Sequence, residues 1–275
     1  MKLKKRAAHL GRCIRAQIRR DKRVFLVLAV VLAAVLGMIG YAIWRGDWNR
    51  VFTGVLTLLL LLIPPLVEKR FSLRLPAALE ISAYVFVFCA GVLGEMGNFY
   101  QRFAIWDVLL HFANGFMFAA FGFSLFALFE QKKRGYQPPS AGFLSLLAFC
   151  FSMTVGVLWE LFEYAADRFL HADMQKDAVL HEIHTVSLPN MVGDSVTHIR
   201  DIVYCMLQTR EGGVYTFAGY PDIGLTDTMK DLFVNLLGAV VFCVVGYLYC
   251  RRMGGRLAAG FIPVVVRKQG GVDNS

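Results

Sequence analysis

Six apolar runs, each close to the length that crosses a bilayer, constrain this chain more than anything else in it. They cover about residues 24–44, 51–67, 77–94, 105–129, 142–164 and 231–250. A helix rising 1.5 Å per residue needs roughly 20 apolar residues to span the hydrocarbon layer. Backbone polar groups inside that layer must be satisfied within the protein, so such runs are helices. The expected fold is therefore all-α, a polytopic membrane protein of about six transmembrane helices. Between the fifth and sixth runs, residues 165–226 are polar and punctuated by Pro189, Gly212-Gly213 and Pro221, and read as a mixed extracytoplasmic insertion. Within it, Val196, Ile199, Val203 and Met206 predict a helix over 195–208 along the outer interface, and Val214–Phe217 a short strand.

Charge orients the runs. Of 29 Lys and Arg residues, 21 fall in residues 1–23, 68–77, 130–141 and 251–275. All four segments share one side if the N-terminus is cytoplasmic, which is the positive-inside pattern. Both termini are then cytoplasmic and the 165–226 insertion lies outside. The basic N-terminal segment 1–23 sets topology, and Leu3, Ala7, Leu10, Ile14 and Ile18 also give it an amphipathic helical pattern. Residues 24–250 form the membrane domain and 251–275 a Gly-rich cytoplasmic tail. With 57% hydrophobic and 18% charged residues, the chain does not fit a soluble domain. The net charge of +9 sits in the tails and short loops, so the expected partners are membrane lipids and not nucleic acid. Six cysteines show no C-x-x-C pairing, and Cys89, Cys150 and Cys243 lie inside apolar runs as small hydrophobes.

Polar side chains carried into the runs are few and ordered. The fourth run carries Asp107, His111 and Asn114. The fifth carries Gly156, Glu160, Glu163 and Asp167, and the sixth carries Asp227, Asp231 and Asn235. At 100° per residue, each set lines one stripe of its helix, and Gly238 returns to within about 20° of Asp227. The topology puts all three stripes at the outer ends of their helices, where the third run also ends, at Glu95. An ionised side chain facing lipid at depth costs on the order of 2.5–3.5 kcal/mol, so these groups are expected to face one another in a shared acidic pocket. Carboxylates so gathered repel, and a protonated member or a bound cation relieves them. The nearby bases are His111 and, at the rim, Arg102, Arg168 and Lys230.

That chemistry points to a divalent metal. Asp107, His111, Glu160, Glu163, Asp227 and Asp231 are the candidate ligands, with Asn114, Asn235 and Asp167 in support. Many oxygens with one imidazole suit Mg²⁺, Mn²⁺ or Ca²⁺ better than Zn²⁺. Glu160, Asp231 and His111 are also the candidate catalytic groups, and no organic cofactor is evident. His181-Glu-Ile-His184 is one residue short of the H-E-x-x-H zinc spacing and reads as loop histidines. Plainer roles stand beside these. Thr226, Asp227 and Asp107 are placed to cap helices. Trp106 and Trp159 suit an interfacial belt, the phenylalanines of the fourth run suit lipid or core, and Gly91, Gly94, Gly115, Gly156 and Gly238 suit helix contacts.

Three blocks carry a resemblance: Trp106-Asp107-Val-Leu-Leu-His111-Phe112, Trp159-Glu160-Leu-Phe-Glu163-Tyr164, and the stretch from Gly219 through Asp227, Asp231 and Asn235 to Gly238-Ala239. In them, over about residues 78–250, the chain resembles the YjdF-like uncharacterised bacterial membrane proteins. It is more remotely similar to the VanZ-like family, associated with glycopeptide resistance, in the order Asp, His, acid, Asp, Asn, Gly. It departs from that family in the pair Glu160 and Glu163 of the fifth run, where a Glu and Gln pair is the pattern. The resemblance implies a bacterial cell membrane location, a cell-envelope role and one site made from the three blocks. It names no reaction.

Three functions fit. One is a metal-dependent enzyme acting at the outer leaflet on a lipid headgroup or lipid-linked envelope precursor. A second is a non-catalytic envelope or resistance protein whose polar cluster staples the last three helices. A third is a cation- or proton-coupled transporter, though no inverted repeat is visible.

Overall fold

The computed structural model describes residues 21–71, 73–131, 140–187, 196–252 and 264–265. Most of the basic 1–23 segment, the loop basics at 132–134, Pro189 and most of the 251–275 tail lie outside these residues. The described chain is mostly helical. Six helices are long and apolar enough to span a membrane, with a small sheet insertion between the fifth and sixth, as expected. By packing, the chain divides into two units, residues 1–156 with 234–275, and residues 157–233.

In the first unit, α1 (Lys22–Arg45) starts at Asp21, whose carboxylate accepts the Arg23 N–H, and stops at Gly46 in the left-handed region at φ 70°. The next residue, Asp47, caps α2 (Trp48–Leu60) by accepting the Arg50 N–H at 3.1 Å, so one short turn ends one span and opens the next. The second span runs on past Pro64-Pro65. It continues through α3 (Ile63–Phe71), giving a candidate span of Trp48–Arg70. The two prolines occupy the first turn of α3, where a missing N–H costs nothing.

After β1 (Leu73–Arg74), the third span runs as α4 (Ala77–Val87) and then as a π-helical stretch, Phe88–Met96. Within that stretch Gly91 packs directly on the Thr57 side chain of α2, where no Cβ fits. Val24, Val31, Val35, Leu61, Tyr84 and Val92 form the apolar centre of these three spans. A left-handed residue, Asn98, precedes the short α5 (Phe99–Arg102), and its side chain accepts from the Arg50 guanidinium at 3.2 Å. Two long helices follow, α6 (Trp106–Gln131) and α7 (Ala141–Leu170). Near the C-terminus, α8 (Leu225–Arg252) is followed by β8 (Val264–Val265), which pairs antiparallel with β1.

The second unit takes in the end of α7, the start of α8 and three two-stranded antiparallel ladders between them. β2 (Asp177–Leu180) pairs with β7 (Tyr220–Ile223), β3 (Ile183–Thr185) with β4 (Thr197–Ile199), and β5 (Cys205–Gln208) with β6 (Val214–Phe217). The strand expected at Val214–Phe217 is present. The helix expected over 195–208 is not: from residue 196 the segment forms β4, a link bent at Asp201, and β5. Val196, Thr197, Ile199, Ile202 and Val203 are β-branched and favour a pleated backbone, and Asp201 at φ 55° interrupts the segment. His181 and His184 have structural partners here. The ring Nδ1–H of His181 donates to the Ile202 carbonyl at 2.8 Å, and His184 lies against His198 across the β3–β4 ladder.

Candidate functional site

The site is built upward from a crossing of α6 and α8. Gly115 of α6 sits against the backbone carbonyl of Asn235 on α8, and Gly238 of α8 sits against the carbonyl of Phe112 on α6. A Cβ at either glycine would collide with backbone, so each helix supplies the gap that the other fills. Small residues are what let backbones approach this closely in a membrane. The crossing is tied by Asn114, whose Nδ2 donates to Asn235 Oδ1 at 2.9 Å, both side chains being buried.

Helix α7 completes this floor. The Asn235 Nδ2 donates to Met153 Sδ at 3.5 Å, and Ser152 Oγ donates to the Gly115 carbonyl at 2.8 Å. Gly156 leaves room for the Asn235 amide, which a Cβ would meet at 2.7 Å. Three helices thus converge on one amide side chain. Sequence periodicity singled out Gly115, Gly156 and Gly238 only as packing positions, and it passed over Ser152 and Met153, because a serine or methionine in an apolar run carries no periodic signal.

The charged layer follows by helical reckoning. One turn of α-helix rises about 5.4 Å, so a step of three or four residues from the Asn114–Asn235 bond reaches His111 on α6 and Asp231 on α8 at one level. Asp107, His111 and Asp231 each bring one ligand atom within 4.8 Å of the others. His111 Nε2 and Asp107 Oδ1 are 3.4 Å apart, one turn apart on α6, with side chains 12% and 16% exposed. Asp231 is 1% exposed, Glu160 5% and Glu163 9%, so the acidic groups are withdrawn from solvent. All of these titratable groups engage partners, as charge buried at such depth requires.

Two further carboxylates hold backbone amides. Asp167 accepts the backbone N–H groups of Met174 and Gln175 at 2.7 and 2.8 Å, and Asp227 accepts that of Lys176 at 2.7 Å. Asp227 is not the N-cap that its position suggested. The helix opens at Leu225, the Asp222 carboxylate accepts the Thr226 N–H at 2.6 Å, and Asp227 lies in the first turn. Asp107 is likewise in the first turn of α6. Trp106 stacks edge-on against Phe99 at 5.0 Å and Trp159 lies against Phe162 at 5.5 Å.

Six candidate spans and a buried Asp/His/Asp group define the class: a multi-pass membrane protein with a polar cluster inside its helices. The family described as "Predicted membrane protein (DUF2238)" matches residues 24–252, and the chain belongs to it. An uncharacterized protein of Thermotoga maritima is 28% identical over 147 residues, 53% of this chain and 66% of that protein. The match thus spans just under two thirds of that relative's length. No solved structure matches the chain.

Proposed function

We propose that the protein is a divalent-metal-dependent enzyme acting at the outer leaflet on a lipid headgroup or a lipid-linked envelope precursor. The observation that carries this reading is the approach of Asp107, His111 and Asp231 to within 4.8 Å in a buried layer. Two carboxylates and an imidazole are a donor set for Mg²⁺, Mn²⁺ or Ca²⁺, with water completing the shell, and they suit Zn²⁺ less well. A cation among them also offsets the repulsion that so many withdrawn carboxylates otherwise suffer. When bound, it would polarise a phosphoryl oxygen or lower the pKa of a water. Glu160, buried on α7 at 5% exposure, is the group we assign as general base, and Glu163 is its neighbour one turn along. The positive-inside bias supports an outward-facing site, and the likeness of the three blocks to YjdF-like and VanZ-like proteins supports an envelope role.

Metal analysis of the purified full-length protein tests this, beside Asp231→Asn, His111→Ala and Glu160→Gln. The wild type is expected to retain or bind close to one Mn²⁺ per chain. Asp231→Asn and His111→Ala should lose it while still eluting as folded protein. Glu160→Gln should keep the metal and lose turnover of lipid-phosphate substrates. A wild type that neither contains nor binds a divalent metal would sink the metal centre. Equal loss of folded protein in all three variants would return the cluster to a purely structural staple.

A further inference from the structure

Where α7 ends and α8 begins, three consecutive backbone amides are held by two carboxylates from different helices. Met174 N–H donates to Asp167 Oδ1 at 2.7 Å, Gln175 N–H to Asp167 Oδ2 at 2.8 Å, and Lys176 N–H to Asp227 Oδ2 at 2.7 Å. The Gln175 side-chain amide reaches across to Thr228 Oγ1 at 2.7 Å. Gly224, at φ 93°, lies under that side chain, where a Cβ would come within 2.9 Å of the Gln175 Cβ. The strand pair Asp177↔Ile223 closes the same segment from its far side. Hydrogen bonds to an ionised acceptor are about twice as strong as neutral ones, and both Asp167 oxygens are used.

Asp167 is one turn beyond Glu163 on α7, and Asp227 is one turn before Asp231 on α8. A helix is stiff over one turn, so whatever sets the spacing and rotation of Asp167 against Asp227 also sets those of Glu163 against Asp231. We propose that residues 174–176 form a positioning clamp for the acidic site. Asp167, and Asp227 through its Oδ2, hold this clamp, and Asp167 is a positioning residue and not a metal ligand. This use of the clamp rests on the metal reading of the site.

The test uses the full-length protein in lipid nanodiscs, as wild type, Asp167→Ala, Asp167→Asn and Gln175→Ala. Amide hydrogen exchange is followed at residues 174–176 and at 225–231, and Mn²⁺ affinity is followed by its spin-resonance signal. Asp167→Ala is expected to speed exchange in both segments and to weaken Mn²⁺ about tenfold with unchanged stoichiometry, the size of effect that groups supporting a ligand produce. Asp167→Asn keeps one acceptor oxygen and should be intermediate, as should Gln175→Ala. Faster exchange at 174–176 with 225–231 still protected would overturn the clamp, as would unchanged exchange in both. Retention of wild-type Mn²⁺ affinity in Asp167→Ala overturns it too. A wild type that binds no Mn²⁺ sinks the metal reading alone, and the exchange data still decide the clamp.

Discussion

The first three spans and the last three solve the problem of helix association in a bilayer by different means. In the first three spans the shared centre is Val24, Val31, Val35, Leu61, Tyr84 and Val92, and the buried hydrogen bond from Tyr84 Oη to Glu80 Oε1 at 3.1 Å lies within α4 itself. In α6, α7 and α8 the insertion end is held by backbone-to-glycine contacts and by Asn114, Ser152 and Asn235, while only the opposite end carries an apolar cluster around Phe123, Leu144, Ala148 and Cys250. Lipid tails are as apolar as leucine, so burial gives little drive and packing plus hydrogen bonds must supply it. The apolar set tolerates shifts in register, because one methyl contact replaces another. The polar set does not, since a hydrogen bond and a backbone crossing each admit one alignment. A site that must bring side chains from separate helices to one level needs the second kind of joint.

Glycine substitutions give the largest contrast. Gly238→Val should drive a side chain into the Phe112 carbonyl and cost more than the roughly 1–3 kcal/mol of ordinary overpacking, so little folded protein is expected on size exclusion. Gly40→Val, on α1, meets nothing within 4 Å and should elute as wild type. Equal outcomes for the two would erase the distinction between the halves.

Smaller, but still measurable by thermal melting, is Asn235→Leu. It leaves Asn114 without its buried acceptor and should destabilise by about 1 kcal/mol, in the range of interhelical hydrogen bonds in membranes. A cycle with Asn114→Leu should show the two losses to be non-additive, and additivity would mean that the pair does not tie the crossing. The smallest effect is expected in the apolar half. Tyr84→Phe removes one hydroxyl from a well-packed ring and should cost about 0.5–1 kcal/mol in the same assay. A loss larger than that of Asn235→Leu would reverse the comparison.

Much of this was legible from the chain alone, for a definite reason. In hydrocarbon a backbone has almost no choice but a helix, so run length and period specify six spans and the stripes upon them. Where that constraint is lifted, in the 165–226 insertion, period alone does not choose the element: apolar residues at Val196, Ile199, Val203 and Met206 fit a helical period, yet the chain forms strands β4 and β5 with a bend at Asp201 between them.

What the sequence determined by itself is local: the spans, the acidic stripes of α6, α7 and α8, and the small residues beside them. All follow from neighbours within a turn or two. Only the tertiary structure decided which acids share a layer and which do not. It brings a ligand atom of Asp107 and of His111 within 4.8 Å of one on Asp231, a residue more than a hundred positions away. It also turns Asp167 and Asp227, on the same stripes, toward the amides of 174–176. Every residue but proline carries a backbone N–H, so no pattern of side chains announces which three will be gathered by a carboxylate.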